Sequence, residues 1–188
     1  NNRWQYPGML AAEASGLKLL KNTNTIRIPA VLGHGEADDL QFLLLEFIDS
    51  APPVLNFWKL FGEQLAALHQ VTNSHFGLDY TNYMGSLQQS NAYTNTWIEF
   101  FIQQRINPQL TLAVNNRKLP ATIIKKFENL FTNLHNLLPA EKPALVHGDL
   151  WSGNLLCNSH GPVLIDPAVH FGNREADLAM TFLFGGFD

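Results

Sequence analysis

The chain has 188 residues, 46% of them hydrophobic and 15% charged, enough to bury a sizeable core without help from disulfides or metals. Its formal charge of -4 and pI near 5.9, with no run of Lys or Arg, exclude the basic stripe a phosphate-backbone binder needs, so nucleic acid is not an expected partner. Cys157 is the one cysteine, which rules out an intrachain disulfide and is compatible with a reducing compartment. No apolar stretch approaches the roughly 20 residues that span a bilayer, and the first nine residues lack the basic start and apolar centre of a signal peptide. The expectation is a soluble, cytoplasmic protein with no membrane partner.

In chain order, AAEASGLKLL (Ala11 to Leu20) has helical spacing behind the breakers Pro7 and Gly8. IRIPAVLGHGEADDLQFLLLEFI follows, with β-branched residues, a Gly-rich turn holding Asp38 and Asp39, and the apolar run Phe42 to Ile48. That run predicts a buried strand after a hairpin-like turn. Ser50 to Pro53 has loop composition and marks a boundary, beyond which the chain is expected to be largely helical from Asn56 to about Leu138. Phe57, Leu60, Phe61, Leu65 and Leu68 form an amphipathic face ending near His69. After a loop, further helices are expected at Thr96 to Ile106 and Ala121 to Leu138, with Trp97, Phe100 and Phe101 in the core and Arg105 on the surface. ALVHGD, LLCN and PVLIDPA read as short strands before a last helix near Glu175 to Thr181, and Cys157 as a buried, inert thiol.

The chemistry is concentrated in LVHGDLWSGNLLCNSHGPVLIDPAVHFGNREADLAM, Leu145 to Met180. His147, Gly148, Asp149, Leu150 and Asn154 fall in the register of a kinase catalytic loop, H-R-D-L-x-x-x-N, and Asp166 stands where a second metal-binding acid follows. Phosphoryl transfer needs that set: one carboxylate facing the attacking hydroxyl, an amide and another carboxylate holding magnesium against the phosphates. Asp149 is thus the candidate base, with Asn154 and Asp166 the candidate magnesium ligands. Gly, Asp, Ser and Asn are also ordinary turn residues, but a second acid after a strand-like PVLI run goes beyond turn composition. The seven histidines do not suggest zinc: His147, His160 and His170 are irregularly spaced, with no H-x-x-x-H and no cysteine partner. His147 is expected to brace the catalytic loop.

HGDLWSGN with IDP downstream resembles the aminoglycoside phosphotransferase and choline kinase superfamily. Trp151 within that motif is similar in particular to the fructosamine (ketosamine) kinases, as are FGLDYTNYMGSLQQSN, WIEFFIQQRINPQL and IDPAVHFGNREADLAMTFLFGGF. The resemblance implies an α+β, protein-kinase-like two-lobe fold. Residues 1–50 would be a partial N-terminal lobe with a helix, antiparallel strands and a hinge, and residues 51–188 a mainly helical C-terminal lobe carrying the catalytic and metal-binding loops. It implies ATP and Mg2+ as cofactors and a ketoamine or glycated protein as substrate. Another small alcohol, such as an aminoglycoside or choline, and a non-catalytic nucleotide-binding module remain as alternatives. By resemblance Glu13 pairs with the ATP-binding lysine, Glu46, Phe47 and Ile48 form the hinge that meets adenine, and Asp177 supports the catalytic loop from below. Trp151, Gln89, Asn91 and His170 are candidates for substrate contact. Family chains also carry a glycine-bearing phosphate loop and a strand lysine before the segment matching NNRWQYPGM, and helices after FGGFD. These 188 residues hold neither, so catalysis is expected of the full-length protein.

Overall fold

The computed structural model describes residues 5–187. Helix α1 (Met9–Asn22) starts at Gly8 and buries Ala14, Gly16, Leu17 and Leu20. Strands β1 (Val31–Ala37) and β2 (Leu40–Leu45) pair antiparallel across the turn at Asp38 and Asp39. The strand expected over Phe42 to Ile48 therefore begins and ends earlier, and it is not buried. Phe42 and Leu44 are 50% and 57% exposed while Gln41 is buried, because the two-stranded sheet is covered on one face only and alternate side chains point away from it. Helix α2 (Phe57–Leu68) buries Phe57, Phe61, Leu65 and Leu68, the face its sequence presents.

Three differences follow in the middle of the chain. The polar stretch after α2 is not simply a loop within a helical region: it forms the hairpin β3 (Asn82–Met84) and β4 (Leu87–Gln89). The helix expected to stop at Ile106 runs on as α3 (Trp97–Phe100), a π-helical segment Phe101–Ile106 and α4 (Asn107–Asn115). Thr96 starts it with a reciprocal capping box to Glu99. The helix expected over Ala121 to Leu138 is two pieces, α5 (Ile123–Phe131) and α6 (Leu134–Leu137).

Strands β5 (Ala144–Val146), β6 (Leu155–Asn158) and β7 (Gly161–Leu164) lie where expected, but β5 pairs with β8 (His170–Gly172), a strand too short to leave a periodic signal. Cys157 lies within β6, half-buried rather than fully buried. Helix α7 (Glu175–Met180) closes the order. The result is mixed helix with small antiparallel sheets, and no described helix is long and apolar enough to cross a membrane.

One core cluster unites Leu17 and Leu20 of α1, Phe61, Leu65 and Leu68 of α2, and Leu145, Leu150, Leu164 and Val169 around the strand pairs. Truncating any such leucine to alanine costs about 2–5 kcal/mol. Gly16 lets α1 lie close on this core, since a Cβ there would sit 3.2 Å from Val169 Cγ2. A second cluster, Phe76, Trp97 and Phe100, packs beneath β8. The two cores hold the 147–166 loops between α1 above and α7 below.

Candidate active site

The loop leaving β5 is fixed by its own residues. Gly148 has φ 81°, and a Cβ there would stand 2.1 Å from the Ala168 carbonyl oxygen, so only glycine fits. The His147 ring spans two loops: Nδ1 accepts from the Asp149 N–H at 3.3 Å, which leaves Nε2–H to donate to the Ile165 carbonyl at 3.0 Å. Burial lowers its pKa, which keeps the ring in this neutral form. The main chains are laced as well, Ala168 N–H to His147 O at 2.9 Å and Ile165 N–H to Asn154 O at 3.1 Å.

Asp149, Asn154 and Asp166 are brought together by this lacing. Asn154 Nδ2 donates to the Asp149 main-chain oxygen at 2.8 Å, to Asp149 Oδ2 at 3.1 Å and to the Asp166 main-chain oxygen at 3.4 Å. Its donor side is thereby used, and Oδ1 is left as an acceptor. Asp166 is exposed and adopts φ 53°, a left-handed conformation that Asp tolerates better than most residues. Burial raises the Asp149 pKa, opposed by the Asn154 hydrogen bond and reinforced by Asp166 and Asp177. A carboxylate raised in this way is a stronger base.

Asp166 opens into a cavity of about 520 Å³ shared with Glu13, Asn82, Tyr83 and Ser86. Burial and the nearby Asp166 charge push Glu13 up to about 7, and among the described residues no salt bridge reaches either acid. Two acids that share a cavity, neither paired among the described residues, make the oxygen-rich, negative surroundings a hard divalent cation favours.

Beneath the loop, Asp177 is fully buried and accepts from His147 N–H at 2.8 Å, Gly148 N–H at 2.9 Å and His69 Nε2 at 2.9 Å. Burial alone would raise its pKa, but the hydrogen bond from His69 and the N–H of Gly148 hold it below the ordinary carboxylate range. Sequence reasoning did not assign His69 a role. The available signal was a polar residue closing the apolar face of Phe61, Leu65 and Leu68.

The remaining candidates are placed as follows. Glu46 pairs with Arg27 at 2.9 Å and accepts the Ala30 N–H at 2.9 Å, so its side chain serves the fold. Phe47 is 84% exposed, and Ile48 is half-buried. The strap beyond is tied to β6, Ala51 N–H to Cys157 O at 3.0 Å and Asn158 Nδ2 to Asp49 O at 2.9 Å. Trp151 lies at the loop's mouth, edge-on to Phe184 at 5.3 Å.

Gln89 and Asn91 are buried, and Asn91 is not free to meet a substrate. Its Nδ2 donates to Tyr80 O at 3.0 Å, and its Oδ1 accepts from Arg105 at 2.6 Å. Arg105 in turn is not a surface charge. It lies 4.5 Å over the Phe100 ring and donates to the Ser90 carbonyl, a half-buried clamp whose pKa is lowered by desolvation to about 10. His170 is buried and stacked beside Phe100 at 5.2 Å and Trp97 at 6.4 Å, its Nδ1 donating to Ala168 O. It lines a second, largely apolar cavity of about 430 Å³, not the one that holds Asp166. His160 bonds Asn158 and Ser159 locally.

A family model described as fructosamine kinase matches residues 1–188. A protein named a probable ketoamine kinase from Synechocystis sp. is 41% identical over 98% of the chain, which spans 62% of that relative's length. A namesake from Vibrio parahaemolyticus is 41% identical over 93% of the chain and 61% of its own length. The crystal structure of a candidate fructosamine-3-kinase from Haemophilus somnus 129PT superposes with a TM-score of 0.90 at 32% identity, covering 100% of this chain and 63% of that one. Another, from Thermobifida fusca, gives 0.84 at 40% identity, covering 96% and 62%. With the match extending over every residue, the chain belongs to the fructosamine kinase family.

Proposed function

We propose that the whole protein transfers the γ-phosphoryl group of ATP to a sugar hydroxyl of ketoamines of the fructosamine or ribulosamine type, free or on glycated proteins, as a cytoplasmic deglycation repair step. In this reading the fold is a two-lobe kinase fold, with residues 1–50 as part of the N-terminal lobe and 51–188 as most of the C-terminal lobe. The observation that carries it is the meeting of Asp149, Asn154 and Asp166 in two loops laced to each other, in a chain of this family.

Asp149 accepts the proton of the acceptor hydroxyl as its oxygen bonds to the γ-phosphorus. The bond to the β–γ bridging oxygen breaks, and ADP leaves. Asn154 Oδ1 and the Asp166 carboxylate would hold magnesium, which would supply charge neutralisation at the phosphates. Glu13 faces Asp166 across the cavity and pairs with the family's ATP-binding lysine, while magnesium would compensate Asp166. Glu46, Phe47 and Ile48 offer main-chain groups to adenine. Trp151 borders the acceptor, and Gln89 borders it from the hairpin.

The test is a coupled assay on the intact protein with Mg-ATP and fructose- and ribose-derived ketoamines, beside an aminoglycoside and choline. Asp149→Asn should reduce turnover by about 1,000-fold or more with an unchanged circular dichroism spectrum. Undiminished turnover in that variant would overturn the assignment of the base, and preference for another alcohol would overturn the acceptor class.

A further inference from the structure

Asp177 reaches the catalytic loop from α7, but it does not stand by itself. Its Oδ2 is shared between the His147 N–H and His69 Nε2, while Oδ1 takes the Gly148 N–H. His69, the residue that ends α2, is 6% exposed, so water does not stand in for it. An ionised carboxylate is acceptor-only, so His69 donates to it from Nε2–H. The contact joins residues 108 positions apart.

We propose that His69 is a positioning residue for the phosphoryl transfer, setting the catalytic loop through Asp177; this rests on the function proposed above. The path is continuous. His69 fixes Oδ2, Oδ2 holds the His147 main chain, and the His147 ring holds both the Asp149 N–H and the Ile165 carbonyl one residue before Asp166. Without His69 the buried carboxylate keeps two main-chain donors and gains freedom to turn, and both loops inherit that freedom. A histidine that merely filled the core would matter for stability and leave this register alone.

Two variants of the intact protein separate the cases. His69→Leu keeps the bulk and removes the donor, whereas His69→Gln keeps an N–H that reaches the same oxygen. Hydrogen exchange at the His147 and Gly148 amides is read beside kcat and KM. In His69→Leu these two amides should lose protection while Leu145, at the centre of β5, keeps it. The kcat should fall about 100-fold, as small misplacements of a catalytic group do, with KM for Mg-ATP little changed. His69→Gln should restore both readouts to near wild type. The proposal is overturned if folded His69→Leu keeps full protection at the two amides, or if folded His69→Gln loses as much kcat as the leucine variant. Should His69→Leu not fold, folded His69→Gln decides by itself, near-wild-type kcat and amide protection supporting the proposal and a fall of about 100-fold in kcat overturning it. Exchange needs no acceptor, so a wild-type protein inactive on ketoamines would remove the functional reading and leave this measurement able to decide.

Discussion

Asp177 and Glu13 are both acids on helices that face the catalytic loops, and their charges are met in opposite ways. Below the loop, Asp177 is fully buried and ionised because His69 and the N–H groups of His147 and Gly148 converge on it. Above it, Glu13 looks across an open cavity at Asp166 and is raised to about 7. The floor is complete in itself, and the upper wall calls for a cation from outside the described residues. The transfer proposed above would gain from that division, since its base would be held still while magnesium and nucleotide arrive.

Gly148→Ala strikes the floor hardest. The added Cβ would lie 2.1 Å from the Ala168 oxygen and 2.8 Å from its carbon, both main-chain atoms, at φ 81°. Nothing nearby can give way cheaply, so unfolding free energy should fall by more than about 3 kcal/mol, read by chemical denaturation, with activity lost. A stable, active Gly148→Ala protein would mean that the floor is plastic.

His170 measures the same floor by pH. Burial, then the Arg105 charge, lower it from 6.5 to about 3. The unfolded chain therefore binds the proton more tightly, and the stability His170 contributes is present above 6.5 and lost as pH falls from 6.5 towards 3. That difference is about 3–5 kcal/mol. His170→Phe should flatten the acid limb of the stability curve over that window, and an unchanged acid limb would place the titration elsewhere.

The wall responds more gently. Glu13 is raised from 4.5 to about 7, so here the folded state holds the proton more tightly, and stability declines as pH climbs from 4.5 to 7 and levels above. Magnesium at Asp166 should pull the Glu13 midpoint down by about one pH unit, followed by carboxyl NMR on the intact protein. A midpoint indifferent to magnesium would show that Asp166 is not where the metal binds.

What the sequence disclosed follows the same line. Asp149, Asn154 and Asp166 were legible because 17 positions separate the first from the last and short loops between short strands leave few ways to arrange them. The buried face of α2 was legible from its period. His69 and Asp177 are 108 positions apart, and no local pattern announces a contact of that range, although the HGD register and READLAM each placed one end of the network. Arg105 read as a surface charge because a helix position does not reveal that Asn91 and the Ser90 carbonyl will close over it. Strand β8 and the β3–β4 hairpin are too short and too polar to carry a period, and only packing defines them.

Gly153→Ala gives the mildest and most informative contrast, since it makes the same chemical change in the same loop as Gly148→Ala. Its Cβ would lie 2.3 Å from Trp151 Cη2 and 2.5 Å from Cζ2, but these atoms are the far end of a side chain that can swing. The loop main chain should stay in place while the indole leaves Gly153 and its edge contact with Phe184. Melting temperature should move by only about 2–4 °C, Trp151 fluorescence should shift relative to a Trp151→Phe control, and KM for the acceptor should rise about tenfold, about 1.4 kcal/mol, with KM for Mg-ATP unchanged. If Gly153→Ala instead unfolds the protein as Gly148→Ala should, the mouth of the loop is as rigid as its floor, and the indole is part of the scaffold and not a surface for the acceptor.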